Sequence, residues 1–320
     1  MAKEKLPYIP PMPEKPKPPQ PLQGLSALQR AILKTFAYRN VFSYPITFYQ
    51  AFCFLNFEAL PEQDKPKTFE DFKDAFVSLV KNKKILFRDN FFYTDKIDVL
   101  LRLEREKRSL DLTASAQKVA NFLGLFPFIQ LICLTGAVAA GNSPKEDDID
   151  ILIVAKKERL WLTRFVVVLA LKLARIYRTD RHEAGKICPN IFIEDSSLEW
   201  VGNRNIYTAH EIAMMKPLFD RGHFYLQFLS QNAWVTNYLG NLVFEAVQTP
   251  IQKANHGFFN RALDHLEILL MKVQLWYMQN KKTVEVTTDK LIHFNRDDNT
   301  MRILERYKFE CQKLGIPLTT

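Results

Sequence analysis

Between Leu131 and Val154 the chain reads LICLTGAVAAGNSPKEDDIDILIV, an apolar run, a glycine-containing turn and a second apolar run opened by acids. Apolar runs this short, bounded by Gly and Asp, predict paired strands rather than a helix. Side chains alternate along a strand, so Asp148 and Asp150 project from one face, about 7 Å apart along the backbone. Two carboxylates so placed can share a divalent cation, and Mg²⁺ is commonly held by one or two carboxylates together with substrate phosphates. Gly136 permits a tight turn and lets backbone amides approach a phosphate with no Cβ in the way. Gly141 and Asn142 make a second turn, with an amide able to donate to phosphate or sugar. An Asp pair at a strand end, or a glycine turn, is commonplace alone; their coupling is what carries information.

The flanking pattern frames this segment. Strands are expected over Phe128 to Leu134, Ile149 to Val154 and Ile187 to Ile193, with a long helix from Arg159 to Tyr177 between the last two. Such mixing predicts an α+β chain with a small mixed sheet. Ahead of it, residues 1–22 hold eight of the seventeen prolines and read as a solvated tail. Residues 23–97 predict three helices, the first with a Ser near its start, the second capped by Thr47 and the third by Thr68, then two short strands around Asp89-Asn90. That is the order of a winged-helix-like unit. Its third helix opens with Glu70, Asp71 and Asp74, which argues against insertion into a DNA groove and leaves at most weak nucleic-acid binding. The core, 98–200, begins with a charged leading helix over 98–122. Residues 201–320 predict a helical region, with Leu263, Leu266, Leu270, Val273 and Trp276 along one face and a last helix stopped by Gly315 and Pro317.

A net charge of +9 favours a polyanionic partner such as nucleotide or RNA. Cys53, Cys133, Cys188 and Cys311 form no CxxC pair and read as free thiols of a reducing compartment, which points to the cytoplasm. The opening lacks the apolar core of a secretory signal, and the Phe165 to Ala174 run is about half the ~20 residues a membrane span needs, so no membrane association is expected. No Walker A, GxGxxG, GxSxG or HExxH motif occurs, which removes the common rival enzyme classes. His210 beside Glu211 reads as an ordinary polar helix face. His182 and Glu183, following Arg178 and Arg181, read as a solvated charged loop, and Arg164 as a cation able to reach a triphosphate.

In the order strand, T-G-A, ten residues, D-I-D, apolar strand, residues 130–195 resemble the signature of the DNA polymerase β-like nucleotidyltransferase superfamily, written Gly-Ser, about ten residues, Asp-x-Asp. The stretches RAILKTFAYRNVFSYPIT, CPNIFIEDSSL and NIYTAHEI extend the resemblance to bacterial proteins with a winged-helix-like unit before such a domain and a helical segment after it. The resemblance implies transfer of a nucleoside monophosphate group from an NTP to an acceptor hydroxyl on a small molecule, RNA or protein, with Mg²⁺ or Mn²⁺ on Asp148 and Asp150 and phosphates at Gly136. Ala137 stands where the family has Ser, so one hydroxyl contact is missing. Alternation from Asn190 through Phe192 makes Glu194 the candidate third catalytic acid. If Asn190 takes that position, base assistance is lost and the alternative is a catalytically weak nucleotide-binding regulatory protein whose winged-helix-like unit binds DNA or a protein partner.

Overall fold

The computed structural model describes residues 24–95, 98–179, 181–242, 258–279, 285–287, 290–294 and 299–316; the Pro-rich tail lies outside them. The elements are α1 (Ala27–Val41), α2 (Phe48–Cys53), α3 (Phe69–Lys81), β1 (Leu86–Arg88), β2 (Phe91–Tyr93), α4 (Val99–Leu123), β3 (Ile129–Leu134), α5 (Gly136–Ala139) and β4 (Ile149–Ala155). They continue with α6 (Leu160–Leu173), β5 (Ile187–Glu194), α7 (Ile206–Met214), β6 (Lys216–Asp220), α8 (Phe224–Gln231), α9 (Phe258–Gln279), β7 (Glu285–Thr287), β8 (Leu291–Phe294) and α10 (Asn299–Lys313). This is an α+β fold with a mixed sheet and a separate small hairpin. The sheet order is β6-β3-β4-β5-β8-β7, and β4 with β5 is its parallel pair.

The amino-terminal helices start where their caps dictate. Ser26, Thr47 and Thr68 each accept from the backbone three residues on, and Gln29, Gln50 and Asp71 reach back to complete capping boxes. The hairpin β1–β2 turns through Asp89 and Asn90, both at positive φ, the backbone state a two-residue hairpin turn requires and Asn and Asp tolerate. The five elements follow the expected order, but they share a core with the sheet. Leu33, Phe36 and Phe76 belong to one continuous apolar cluster with Leu131, Cys133, Leu152, Val154, Ile191 and Ile193, completed by α7, α8 and α10. The opposite face of the sheet, through Ile132, Leu134, Ile151, Ile153 and Phe192, buries against α4, α5 and α6.

The expectation that residues 201–320 are helical is corrected. Three strands from this stretch join the sheet, β6 on β3 and β8, with β7 beyond it, on β5. Helix α7 ends at Met214 ahead of Pro217, which can neither donate to nor fit inside a helix. Pro217 is tolerated in β6 because that strand is the sheet edge and its pairing with β3 shifts register there.

The irregularity that matters most lies in the parallel pair. Ile151 pairs with Pro189 but Leu152 pairs with Ile191, so Asn190 is an extra residue on β5. A bulge of this kind reverses the in–out phase of everything beyond it. Cys188 stays opposite Asp150, whereas Phe192 pairs with Ile153 and Glu194 with Ala155, on the other face.

Because the core runs without a break from α1 to the sheet, truncating a fully buried ring in the amino-terminal helices destabilises the whole fold. Phe76→Ala is expected to cost about 3–5 kcal/mol. In urea, circular dichroism and tryptophan fluorescence should report one coincident transition; two separated transitions would show an independently folding amino-terminal unit.

Candidate functional site

At the start of β4 the chain brings Asp148 and Asp150 to one face, as the alternation requires, and β5 places Cys188 beside them. Oxygens of the two carboxylates and the Cys188 sulfur all lie within 4.8 Å of one another, and all three residues are half-buried. Asn190, displaced by the bulge, donates through Nδ2 to Asp150 Oδ1 at 2.9 Å. Its own Oδ1 is buried and has no donor among the described residues.

The turn after β3 closes over this group. Thr135 N–H donates to the Asp150 carbonyl at 3.0 Å, and Gly136 follows at φ +65°. A Cβ on Gly136 would stand 2.7 Å from Asp150 Oδ2, so only glycine lets the carboxylate lie against the turn. Ala137 is the next residue of α5 and half-buried. Gly141, at φ +70°, ends the turn.

Three arginines spaced three apart on α4 hold the exit of this loop. Arg102 donates to the Gly141 carbonyl (3.2 Å), Arg105 to Asn142 Oδ1 (3.2 Å) and Arg108 to the Ser143 carbonyl (3.0 Å). Residues three apart share one side of a helix, which is why the register repeats. Asn142 also donates to the Phe42 carbonyl at 3.1 Å, so both ends of its amide tie the loop to α4 and to the end of α1. Tyr44 completes the brace: its hydroxyl donates to the Ala140 carbonyl (2.9 Å) and accepts from Arg102 (2.8 Å).

Burial gives the carboxylates an unusual charge state. Desolvation, then the neighbouring Asp148, pushes Asp147 up to about 7. Desolvation also raises Asp148 against the opposing pull of Arg178, and Asp150 is held well above the usual range by burial and by the charges of Asp148 and Asp147. The Cys188 thiol is raised by the same burial and by both carboxylates. Groups that share a site and repel one another in this way are relieved by a bound cation. The donor set, the orphaned Asn190 oxygen and the space left by Gly136 therefore fit a divalent ion held by Asp148 and Asp150.

Several sequence expectations are redirected. Glu194 is not near the pair: five residues further along the sheet, about 17 Å at strand rise, and on the opposite face, it is buried and accepts from the Glu158 amide and the Ser196 hydroxyl. Arg164 bonds Gln274 of α9, on the side of the sheet away from the acids. His210 is a core residue, stacked on Tyr38 at 4.0 Å between centroids with Nδ1 at 2.9 Å from the Ile206 carbonyl. The loop read as solvated charge instead supplies Arg178 to the site. Its Nε lies 2.9 Å from Asp148 Oδ2, one Nη 3.1 Å from Glu183 and the other 3.8 Å from Cys188 Sγ. Glu211 of α7, beside His210, is raised by burial to about 7. Cys188 was readable from strand alternation two residues before Asn190; Arg178, thirty residues from Asp148, was not.

No family model matches the chain, and no curated protein matches it. Among solved structures, a chain from a "Crystal structure of the toxin-antitoxin with AMP-PNP" overlaps 37% of this chain and 85% of its own, at 17% identity and a TM-score of 0.24. So loose an overlap transfers no property. Among the described residues no helix is long and apolar enough to cross a membrane.

Gly136→Ala forces a side chain into the left-handed region, costing about 1–2 kcal/mol, and drives Asp150 out of its seat. We expect a lowered Tm together with Mn²⁺ affinity reduced about tenfold or more, read by thermal melting and calorimetry. Unchanged Mn²⁺ affinity would show that the contact does not set the carboxylate's position.

Proposed function

We propose that the chain binds a nucleoside triphosphate through a divalent cation on Asp148 and Asp150 and transfers its nucleoside monophosphate group to an acceptor hydroxyl. The observation that carries this reading is the seating of the Asp150 carboxylate against Gly136, which puts the paired acids and the turn's backbone at one spot. Mg²⁺ or Mn²⁺ bound there supplies charge neutralisation to the phosphates. Gly136 and Ala137 offer backbone N–H groups that a phosphate can approach closely. Arg178, already inside the site, supplies a guanidinium to a phosphate oxygen. In the transfer the acceptor oxygen bonds to the α-phosphorus, the bond to the β-phosphate oxygen breaks and pyrophosphate leaves. The acceptor's proton passes to solvent, since the Asn190 amide beside Asp150 is no base.

We assign the amino-terminal helices a positioning role, since Tyr44 and the end of α1 brace the Ala140–Asn142 turn. One observation favours a second reading. Asn190, not an acid, occupies the place on β5 beside Asp150, and Ala137 lacks a hydroxyl; both suit a protein that binds nucleotide and turns it over slowly.

Calorimetric titration with MgATP and release of pyrophosphate separate the readings. Asp148→Asn and Asp150→Asn should each abolish metal-dependent nucleotide binding, and unchanged binding in both would remove the metal site. Asn190→Asp should raise turnover at least about tenfold where the third position limits the rate. Binding without pyrophosphate release in any of these proteins leaves the second reading.

The charge state of the acids also predicts a pH dependence. Their folded pKa values are raised, so the metal-free fold holds protons that the unfolded chain releases; that contribution is full below about pH 4 and is lost as pH rises to about 7. A cation replaces those protons, so Mn²⁺ should raise Tm more at about pH 8 than at about pH 5.5. A shift of equal size at both values would contradict ionisation-coupled binding.

A further inference from the structure

The geometry points to a thiolate-accepting metal centre: we propose that Asp148, Asp150 and Cys188 together hold one thiophilic divalent cation, of the Zn²⁺, Co²⁺ or Cd²⁺ class, in competition with Mg²⁺. The inference rests on the metal-binding half of the reading above and goes beyond it in the identity of the ion.

Three features carry it. The sulfur and the two carboxylate oxygens meet within 4.8 Å, so a small closing rotation of the side chains brings them onto one ion with ligands about 2.0–2.3 Å away. The parallel pairing sets Cys188 directly opposite Asp150, so neighbouring strands fix the sulfur in the site and no loop must move to bring it there. The guanidinium of Arg178 already bridges two of the three donors, Asp148 Oδ2 and Cys188 Sγ, and is held at its far end by Glu183. A cation is thus already partnered by these donors, and Glu183 gives Arg178 an ion pair to keep when a metal takes its place.

The donor set chooses the ion. Mg²⁺ is hard, prefers oxygen and octahedral geometry, and gains little from a sulfur. Zn²⁺, Co²⁺ and Cd²⁺ accept mixed sulfur and carboxylate ligands in tetrahedral sites, with the open position left to water or substrate. Binding forms a metal–sulfur bond and breaks the S–H bond, the proton passing to solvent, so one proton is released from Cys188 per ion. The remaining cysteines are elsewhere: Cys133 of β3 and Cys311 of α10 are buried in the apolar core, and Cys53 ends α2.

The test is optical and calorimetric titration of the full chain with Co²⁺, Zn²⁺ and Mn²⁺. Wild type should bind one equivalent of Co²⁺ with a thiolate-to-cobalt charge-transfer band in the near ultraviolet. Cys188→Ser should lose the band and at least about tenfold in Zn²⁺ affinity while keeping Mn²⁺ affinity within about threefold, which also shows that the variant is folded. Cys188→Asp should lose the band and gain Mg²⁺ affinity, since it exchanges a soft donor for a hard one. Co²⁺ binding without the band, or a Cys188→Ser variant with wild-type Zn²⁺ affinity, overturns the proposal. MgATP titration of the same proteins reads the nucleotide hypothesis separately: a cobalt–thiolate band with no nucleotide binding leaves the metal centre standing alone, and nucleotide binding without the band leaves an oxygen-only site.

Discussion

The Asp150 carboxylate lies against a turn that has room for it only because Gly136 carries no side chain. Much of the cleft follows from that contact. Thr135 and Asp150 are joined through the backbone where β3 and β4 run together, so the turn and the acid are fixed relative to each other by sheet hydrogen bonds rather than by a flexible loop. The seat is also what desolvates the carboxylate. Its burial next to Asp147 and Asp148 raises all three acids and makes the site costly unless a cation or protons relieve it.

The chain's excess positive charge invites a search for an anionic partner on its surface, yet part of it is used internally. Arg102 and Arg105 are buried and, with Arg108, clamp three consecutive residues of the loop between the glycine turn and the acids. Arg178 is the internal partner of Asp148. Net charge therefore measures little here about ligands, because guanidinium groups with several donors suit carbonyl-rich loop exits as well as phosphates. The same clamp explains why the amino-terminal helices cannot be separated from the site. Tyr44, Phe42 and Arg102 form one hydrogen-bonded bracket across α1, α4 and the turn.

The bulge at Asn190 decides which β5 side chains face the acids. Without it, strict alternation would carry Asn190, Phe192 and Glu194 along one face. With it, Asn190 stays beside Asp150 and Ile191 joins the same face, while Phe192 and Glu194 turn to the other. One inserted residue thus turns Phe192 and Glu194 off the acids' face and leaves Glu194 bonded to Glu158 and Ser196.

Local information in the sequence determined a good deal. Caps at Ser26, Thr47 and Thr68, the apolar runs of β3, β4 and β5, and the shared face of Asp148 and Asp150 are all set by neighbours within a few residues, where propensity, capping and strand alternation operate. What lay beyond it depended on long-range pairing. That Lys216 to Asp220 is an edge strand follows from the open edge of β3, not from its own composition. That Asn190 is bulged follows from its register against β4, and that Arg178 and Cys188 converge on the acids follows from how β4, β5 and the loop before β5 assemble. Alternation predicts a face only while the ladder keeps phase, and a sequence read one segment at a time cannot see where the partner strand makes it slip.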